Sequence, residues 1–172
     1  GTPSLNAMTM PVSVVNEFGE RETHRVFKED YLTRLKIFPF RNESGDSSRN
    51  WMAYGIQLAV LGDLEQFNYI LTGRTGDAII LQEQIEFANT HDYSNFLTGT
   101  FRMNDGSYEI CTRLYQTANG SILAERNFRG NDFFSLMDTI SLQTRIDLNI
   151  PDYLLKSIPD LPFKEHHTKN LD

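Results

Sequence analysis

The chain has 172 residues, of which 40% are hydrophobic and 23% are charged, so it is long enough for a single domain with a well-buried core. Its net charge of −7 and its scattered Lys and Arg residues argue against a nucleic-acid-binding protein, which needs a positive surface. The sequence has no run of about 18 apolar residues, so we do not expect the chain itself to span a membrane.

Residues 1–30 precede the main predicted domain and are interpreted as a leader that contains a hairpin. Residues 10–17 and 22–28 are typical of short strands, and the turn FGER between them allows the two strands to pair.

Residues 31–40 predict a further strand that is apolar on both faces. Leu35 and Ile37 fall on one face, and Phe38 and Phe40 fall on the other. Such a strand is typical of a sheet that helices cover on both sides.

Two helices are predicted next, separated by a short strand at residues 67–73. The first helix has Ser47 or Ser48 as its predicted N-cap, and the second has Thr75 or Asp77 and ends near residue 90. The predicted core-facing stripe of the first helix is Trp51, Tyr54, Leu58 and Leu61. That of the second is Ala78, Leu81, Ile85 and Ala88.

Three strand-like runs follow, joined by NDG and ANG, which supply the positive φ angles that tight hairpin turns require. The middle run alternates between an apolar face (Tyr108, Ile110, Leu114) and a charged face (Glu109, Arg113), as in an antiparallel meander. A last helix has Asn131 or Asp132 as its predicted cap. Its apolar face consists of Phe133, Leu136, Met137 and Ile140.

The predicted order is therefore β-α-β-α-β-β-β-α, preceded by the hairpin. Helices between the first strands make those strands parallel, and the meander completes a mixed sheet of the α/β (α+β) class with helices packed on it. Residues 31–148 form this domain. Residues 149–172 contain three prolines and are predicted to be a linker toward a further C-terminal region.

The Gly-containing turn before the first helix raises the question of phosphate binding. A Walker loop or a dinucleotide fingerprint needs several glycines at fixed spacing, whereas Gly45 is alone, no Lys follows it, and Glu43 and Asp46 would repel an anion. The second loop, residues 72–78, contains two glycines and Arg74 but also an aspartate. In both loops we favour a capped helix start over a phosphate site.

No catalytic, metal or cofactor site is predicted. His166 and His167 are adjacent rather than spaced like helical metal ligands, and His24 and His91 are solitary. Cys111, the single cysteine, lies within a strand and is interpreted as a structural thiol, and its presence fits both the cytosol and the periplasm. No Gly-x-Ser-x-Gly elbow occurs, and no spacing singles out a pair of carboxylates.

The order of several motifs resembles the TolB N-terminal-like domain, a family related to lipoprotein domains of the CsgG type. These motifs are LKIFPFRNESGD, Gly55, GDLEQF, the meander YSNFLTGTFRMNDGSYEICTRLYQTANGSILAERNF and NDFFSLMDTI. The resemblance covers residues 33–148, and NYILTGRTGDAI departs from the family pattern. The final HHTKNLD is similar to the junction at which tetratricopeptide repeats follow this domain.

The resemblance implies a non-enzymatic module with an anticodon-binding-like sheet, acting in protein interaction or sensing within a larger bacterial envelope or signalling protein. Its partners would be other proteins and not nucleic acid, and its parent could be membrane-anchored. A periplasmic or otherwise extracytoplasmic location is expected, with the cytoplasm as the alternative.

An alternative function is a small-molecule or nucleotide sensor, because open α/β sheets bind ligands at the loops that follow parallel strands. The predicted ligand or partner loops contain Asn42, Ser44, Gly45, Asp46, Arg74 and Thr75.

Overall fold

The computed structural model describes residues 3–67, 69–73 and 77–155. The helices and strands are α1 (Leu5–Met8), β1 (Thr9–Val15), β2 (Arg21–Phe27), β3 (Thr33–Ile37), β4 (Arg41–Asn42), α2 (Trp51–Glu65), β5 (Ile70–Leu71), α3 (Leu81–Thr90), β6 (Asn95–Asn104), β7 (Ser107–Gln116), β8 (Ser121–Gly130), α4 (Phe133–Asp147) and α5 (Asp152–Leu155). Short 3-10 turns lie at Glu29–Tyr31 and Ser47–Arg49.

The main sheet has the strand order β5-β3-β6-β7-β8, and the short β4 also pairs with β6. β3 runs parallel to β5 and β6, because a helix connects each successive pair of these strands along the chain. β6, β7 and β8 pair antiparallel through two tight turns. The predicted mixed sheet and the predicted order of its elements are confirmed.

β1 and β2 form a separate antiparallel hairpin, as predicted. The Asn16 side-chain oxygen accepts hydrogen bonds from the backbone N–H groups of Phe18 and Glu20. Gly19 has a φ of +79°, a left-handed conformation that glycine adopts without strain. These residues close the turn.

Helices cover both faces of the sheet around β3. The larger core, between one face and helices α2 and α4, includes Leu35, Ile37, Phe40, Met52, Ile56 and Ile140. The smaller core, between the opposite face and α3, includes Phe38, Ala88, Phe96 and Tyr115. The expected two-sided burial is confirmed, but Phe40 joins the same core as Leu35, because β3 ends at Ile37 and the strand alternation stops there.

The predicted apolar stripe of α2 is wrong in orientation. Trp51, Tyr54 and Leu58 are more than half exposed, and Leu61 alone of that stripe is buried. The residues that face the core are Met52, Ile56, Val60, Leu61 and Leu64. The helix is apolar on both sides, so periodicity does not distinguish the buried side from the exposed one.

Two of the predicted helix starts differ from the structure. The 3-10 turn before α2 is capped by Asp46 rather than by Ser47 or Ser48. α3 begins at Leu81, beyond Asp77, and its first residue is exposed. The predicted cap of α4 is confirmed, because the Asp132 carboxylate accepts a hydrogen bond from the Ser135 N–H at 3.2 Å.

The first residues after α4 pack against the larger core. Ile150 and Leu154 are buried there, although both belong to the stretch predicted as a linker. The boundary at residue 149 stays a prediction, and residues 156–172 lie outside the described part of the chain. None of the helices in the described ranges has both the length and the apolar content that a membrane crossing requires.

Candidate functional site

The predicted loop after β3 is held together by its own polar side chains. The Asn42 amide nitrogen donates to the Asp46 carbonyl oxygen at 3.0 Å and to the Asn50 side chain at 2.7 Å. The Asn42 amide oxygen accepts from both the backbone N–H and the hydroxyl of Ser44. Gly45 has a φ of +76°, which lets the chain reverse direction here. The loop is therefore a structured turn.

Asp46 carries the start of the following 3-10 turn. Its carboxylate accepts from the Ser48 hydroxyl at 2.6 Å and from the Ser48 N–H at 3.0 Å, and these bonds hold its pKa below the ordinary value. Arg49 lies 3.5 Å from the same carboxylate.

This geometry bears on phosphate binding. The N–H groups of Ser44, Asp46 and Ser48, which an anion would need, donate to side-chain oxygens of the loop itself. The arrangement favours a helix start over an anion site. Arg74 and Thr75 lie outside the described residues, so a ligand or partner role for the two loops stays a prediction.

Asp77, predicted as a helix cap, lies outside α3 as an exposed residue near the carboxyl end of β3. Its carboxylate accepts from the Gln57 amide at 3.3 Å, and the same amide donates to the Ile37 carbonyl oxygen at 2.9 Å. Lys36 is fully buried beside it, and burial lowers the lysine pKa while Asp77 raises it. These groups tie the loop after β5 to α2 and β3.

Sequence reasoning missed an exposed aromatic surface at the beginning of α2 and α4. We call Trp51, Tyr54, Tyr108, Phe133 and Phe134 the aromatic surface. Phe133 contacts three of the other rings: its centroid lies 6.3 Å from that of Trp51, 5.6 Å from that of Tyr108 and 5.6 Å from that of Phe134. Trp51 is 58% exposed and Phe134 is 76% exposed. Large apolar rings therefore meet solvent at this site.

Gly55 explains how the Trp51 ring is placed. A Cβ on Gly55 would lie 3.1 Å from the indole, a distance tighter than an ordinary contact, so the ring rests against the glycine one turn along α2. A sequence signal existed, since an aromatic residue precedes a helical glycine by four positions, where two side chains share a face.

Comparison with known proteins concerns the fold. No family model and no curated protein matches the sequence. TolB from Acinetobacter baumannii has a similar structure, with a TM-score of 0.53 and 16% identity, covering 68% of this chain and 28% of TolB. The LpoB C-terminal domain from Salmonella enterica has a TM-score of 0.50 and 10% identity, covering 58% of this chain and 83% of that domain. The PelC dodecamer from Paraburkholderia phytofirmans has a TM-score of 0.50 and 11% identity, covering 71% of this chain and 91% of the PelC chain.

The chain has a TolB-like fold. At these identities the likeness concerns the backbone alone, and the chain spans little more than a quarter of TolB. The relation to CsgG-type lipoprotein domains and to tetratricopeptide repeats stays a prediction.

Within this TolB-like fold, the polar loop and the aromatic surface are neighbours. Asn42 is hydrogen-bonded to Asn50, the residue immediately before Trp51. Both features therefore lie at the end of the sheet where β3 and β6 finish, beside the starts of α2 and α4. The structure brings the first predicted loop together with residues that the sequence had placed in the core.

Proposed function

We propose that the chain is a non-enzymatic protein-interaction module of a larger bacterial envelope or signalling protein, and that its aromatic surface contacts the partner. We place it outside the cytoplasm, in line with the family resemblance. The observation that carries the proposal is that Trp51 and Phe134, both more than half exposed, are packed against the partly buried ring of Phe133.

The aromatic surface has the composition of an interface centre. Trp and Tyr are enriched among the residues that dominate binding energy, because they bury a large area at a small cost in side-chain entropy. Ring contacts between Trp51, Phe133 and Tyr108 already restrict these side chains in the free protein. Less ordering is therefore needed on binding, which favours affinity.

The charges around the surface indicate the chemistry of the partner. Asp132 precedes Phe134 at the start of α4, and the exposed Asp138 follows one turn later. The chain as a whole carries a net charge of −7. The partner that fits is a protein surface with apolar side chains at its centre and Lys or Arg at its edge.

The fold is compatible with such a role. PelC, which shares it, is a dodecamer, so a domain with this backbone can be used for assembly between chains.

Binding of the 172-residue chain to the purified products of its neighbouring genes tests the proposal. Trp51→Ala and Phe134→Ala should each weaken binding by about tenfold or more, since both truncate exposed rings at the centre of the surface. Leu142→Ala is the matched control, because Leu142 is an exposed apolar residue two turns farther along α4.

Binding that is insensitive to both aromatic substitutions would contradict the role of this surface. Reproducible turnover of a small substrate by the chain would contradict the non-enzymatic function. A rise in melting temperature with nucleotides would instead favour the alternative sensor function.

A further inference from the structure

β8 is an edge strand with a mostly exposed surface. It ends the sheet order, and within residues 3–67, 69–73 and 77–155 no strand pairs with its outer side. Seven of its ten residues are exposed. The backbone N–H and C=O groups along this side are therefore positioned to pair with another strand.

The regular part of β8 has a defined centre. Its pairing with β7 is continuous from Gly130 to Ala124, and a bulge then interrupts the register between Leu114 and Tyr115 of β7. The uninterrupted stretch, residues 124–130, has Asn127 at its midpoint. Glu125 and Arg129 lie two positions on either side of Asn127, and since strand side chains alternate, all three project from one face.

We propose that two copies of this chain associate through antiparallel pairing of their β8 strands, about a twofold axis at Asn127. In this register Glu125 of each copy lies opposite Arg129 of the other, so two opposite-charge pairs form across the axis. All seven residues of the regular stretch take part in the pairing. The edge of each sheet is covered by the other.

The charges lie on the exposed part of the sheet face against which α3 packs, and they continue across this junction. In one copy, Glu109 lies 2.8 Å from Arg102 and 3.5 Å from Arg129, in a row across β6, β7 and β8. In a second row on the same face, beyond the pair of Cys111 and Asn127, Arg113 pairs with Glu125. In the proposed register, Arg129 at the end of the first row of one copy meets Glu125 at the end of the second row of the other copy. Positive and negative side chains then alternate without interruption across the two sheets.

Nearby registers lack this complementarity. In an antiparallel pair, two residues that lie opposite each other project from the same face of the sheet. Since side chains alternate along β8, a twofold axis perpendicular to the sheet must pass through a residue position and not between two residues. An axis at Arg126 would place the two Arg126 side chains opposite each other, and an axis at Glu125 would oppose two carboxylates. Like charges directly opposite are destabilising. An axis at Phe128 would place Arg129 opposite Asn127 and form no opposite-charge pair. The register at Asn127 is therefore favoured over these three.

This association goes beyond the proposed function, because the paired residues 124–130 include none of the five residues of the aromatic surface. Failure of one proposal therefore leaves the other standing.

Sedimentation velocity of the 172-residue chain tests the charge pairs. The wild-type chain should form a dimer whose dissociation constant rises about tenfold or more in Glu125→Arg and in Arg129→Glu. An equimolar mixture of the two variants should restore the dimer, because each Arg then faces a Glu. Arg102→Glu is the control: it makes the same charge change on the same face, two strands from the edge, and should leave the dimer unchanged.

Disulfide trapping tests the position of the axis. Asn127→Cys should cross-link two chains on mild oxidation, since residues on the axis face their own copies at disulfide distance. Cys111 is the cross-strand neighbour of Asn127, so the experiment uses a Cys111→Ser background. Ser121→Cys, which lies outside the regular stretch, should not cross-link. A monomer at all concentrations, or a dimer that neither single charge reversal weakens, would overturn the proposal.

Discussion

The indole of Trp51 packs against the ring of Phe133, with 6.3 Å between the ring centroids. This contact joins the first residue of α2 to the first residue of α4. The two helices follow different strands, β4 and β8. Their side-by-side packing on one face of the sheet therefore creates the aromatic surface, which neither helix contains alone.

Gly55→Ala should move the Trp51 ring without unfolding α2. The added methyl group would lie 3.1 Å from the indole, and the half-exposed ring can shift outward. We expect a red shift of the emission of Trp51, the single tryptophan, and a stability gain of up to about 1 kcal/mol, because alanine favours the helix. Gly62→Ala, in the same helix with open space around it, should give the stability gain with an unchanged spectrum.

Asp132→Ala should lower the melting temperature at neutral pH. The backbone N–H of Ser135, and then its side chain, lower the pKa of the Asp132 carboxyl group. The ionised cap therefore stabilises the fold above the ordinary pKa, and this contribution is lost as pH falls through the lowered pKa. The difference from wild type should shrink accordingly in melting curves recorded at decreasing pH. Asp132→Asn retains the capping acceptor and should stay close to wild type.

Asp63→Asn should stabilise the protein at neutral pH. Burial, followed by the neighbouring Asp138, raises the pKa of Asp63, although Arg145 opposes this effect. Since the folded state holds the proton more tightly than the unfolded state, stability falls as pH rises from the ordinary pKa through the raised pKa. Urea unfolding should show the gain above this window and none below it. Asp30→Asn, at an exposed carboxylate, serves as the control. An equal gain in stability for Asp63→Asn above and below the window would contradict the explanation.

Gly99→Ala should be strongly destabilising. A Cβ at this position in β6 would overlap the Cys111 carbonyl oxygen and lie 2.6 Å from the Phe40 ring. Overpacking typically costs about 1–3 kcal/mol, and we expect the upper end here because the backbone oxygen of Cys111 cannot move aside as a flexible side chain would. Chemical denaturation measures the loss, and a variant as stable as wild type would show that β6 and β7 can separate locally.

The larger features of the fold were predictable because they arise from local patterns. Alternating residues in the meander, the turns NDG and ANG, and helices between the early strands together predicted the mixed sheet and its strand directions. The polar residues just before a periodic apolar run predicted a cap at Asn131 or Asp132, and the structure has it at Asp132. Each of these signals lies within a few residues of the structure that it determines.

The orientation of α2 was decided by tertiary structure alone. Its two sides, one with Met52 and Ile56 and the other with Trp51 and Tyr54, are both apolar, so each satisfies the helical period. Only the combined presence of the sheet and α4 selects the first pair for burial. The second pair is left in solvent beside Phe133.

The sequence by itself determined which segments become strands and helices and in what order they connect, because hydrophobic period and turn residues act over short distances. The tertiary structure decided which apolar residues are exposed, how the loop around Gly45 satisfies its own polar groups, and which strand forms the free edge. These outcomes depend on contacts between residues far apart in the chain, and a local sequence pattern does not reveal the energies of such contacts.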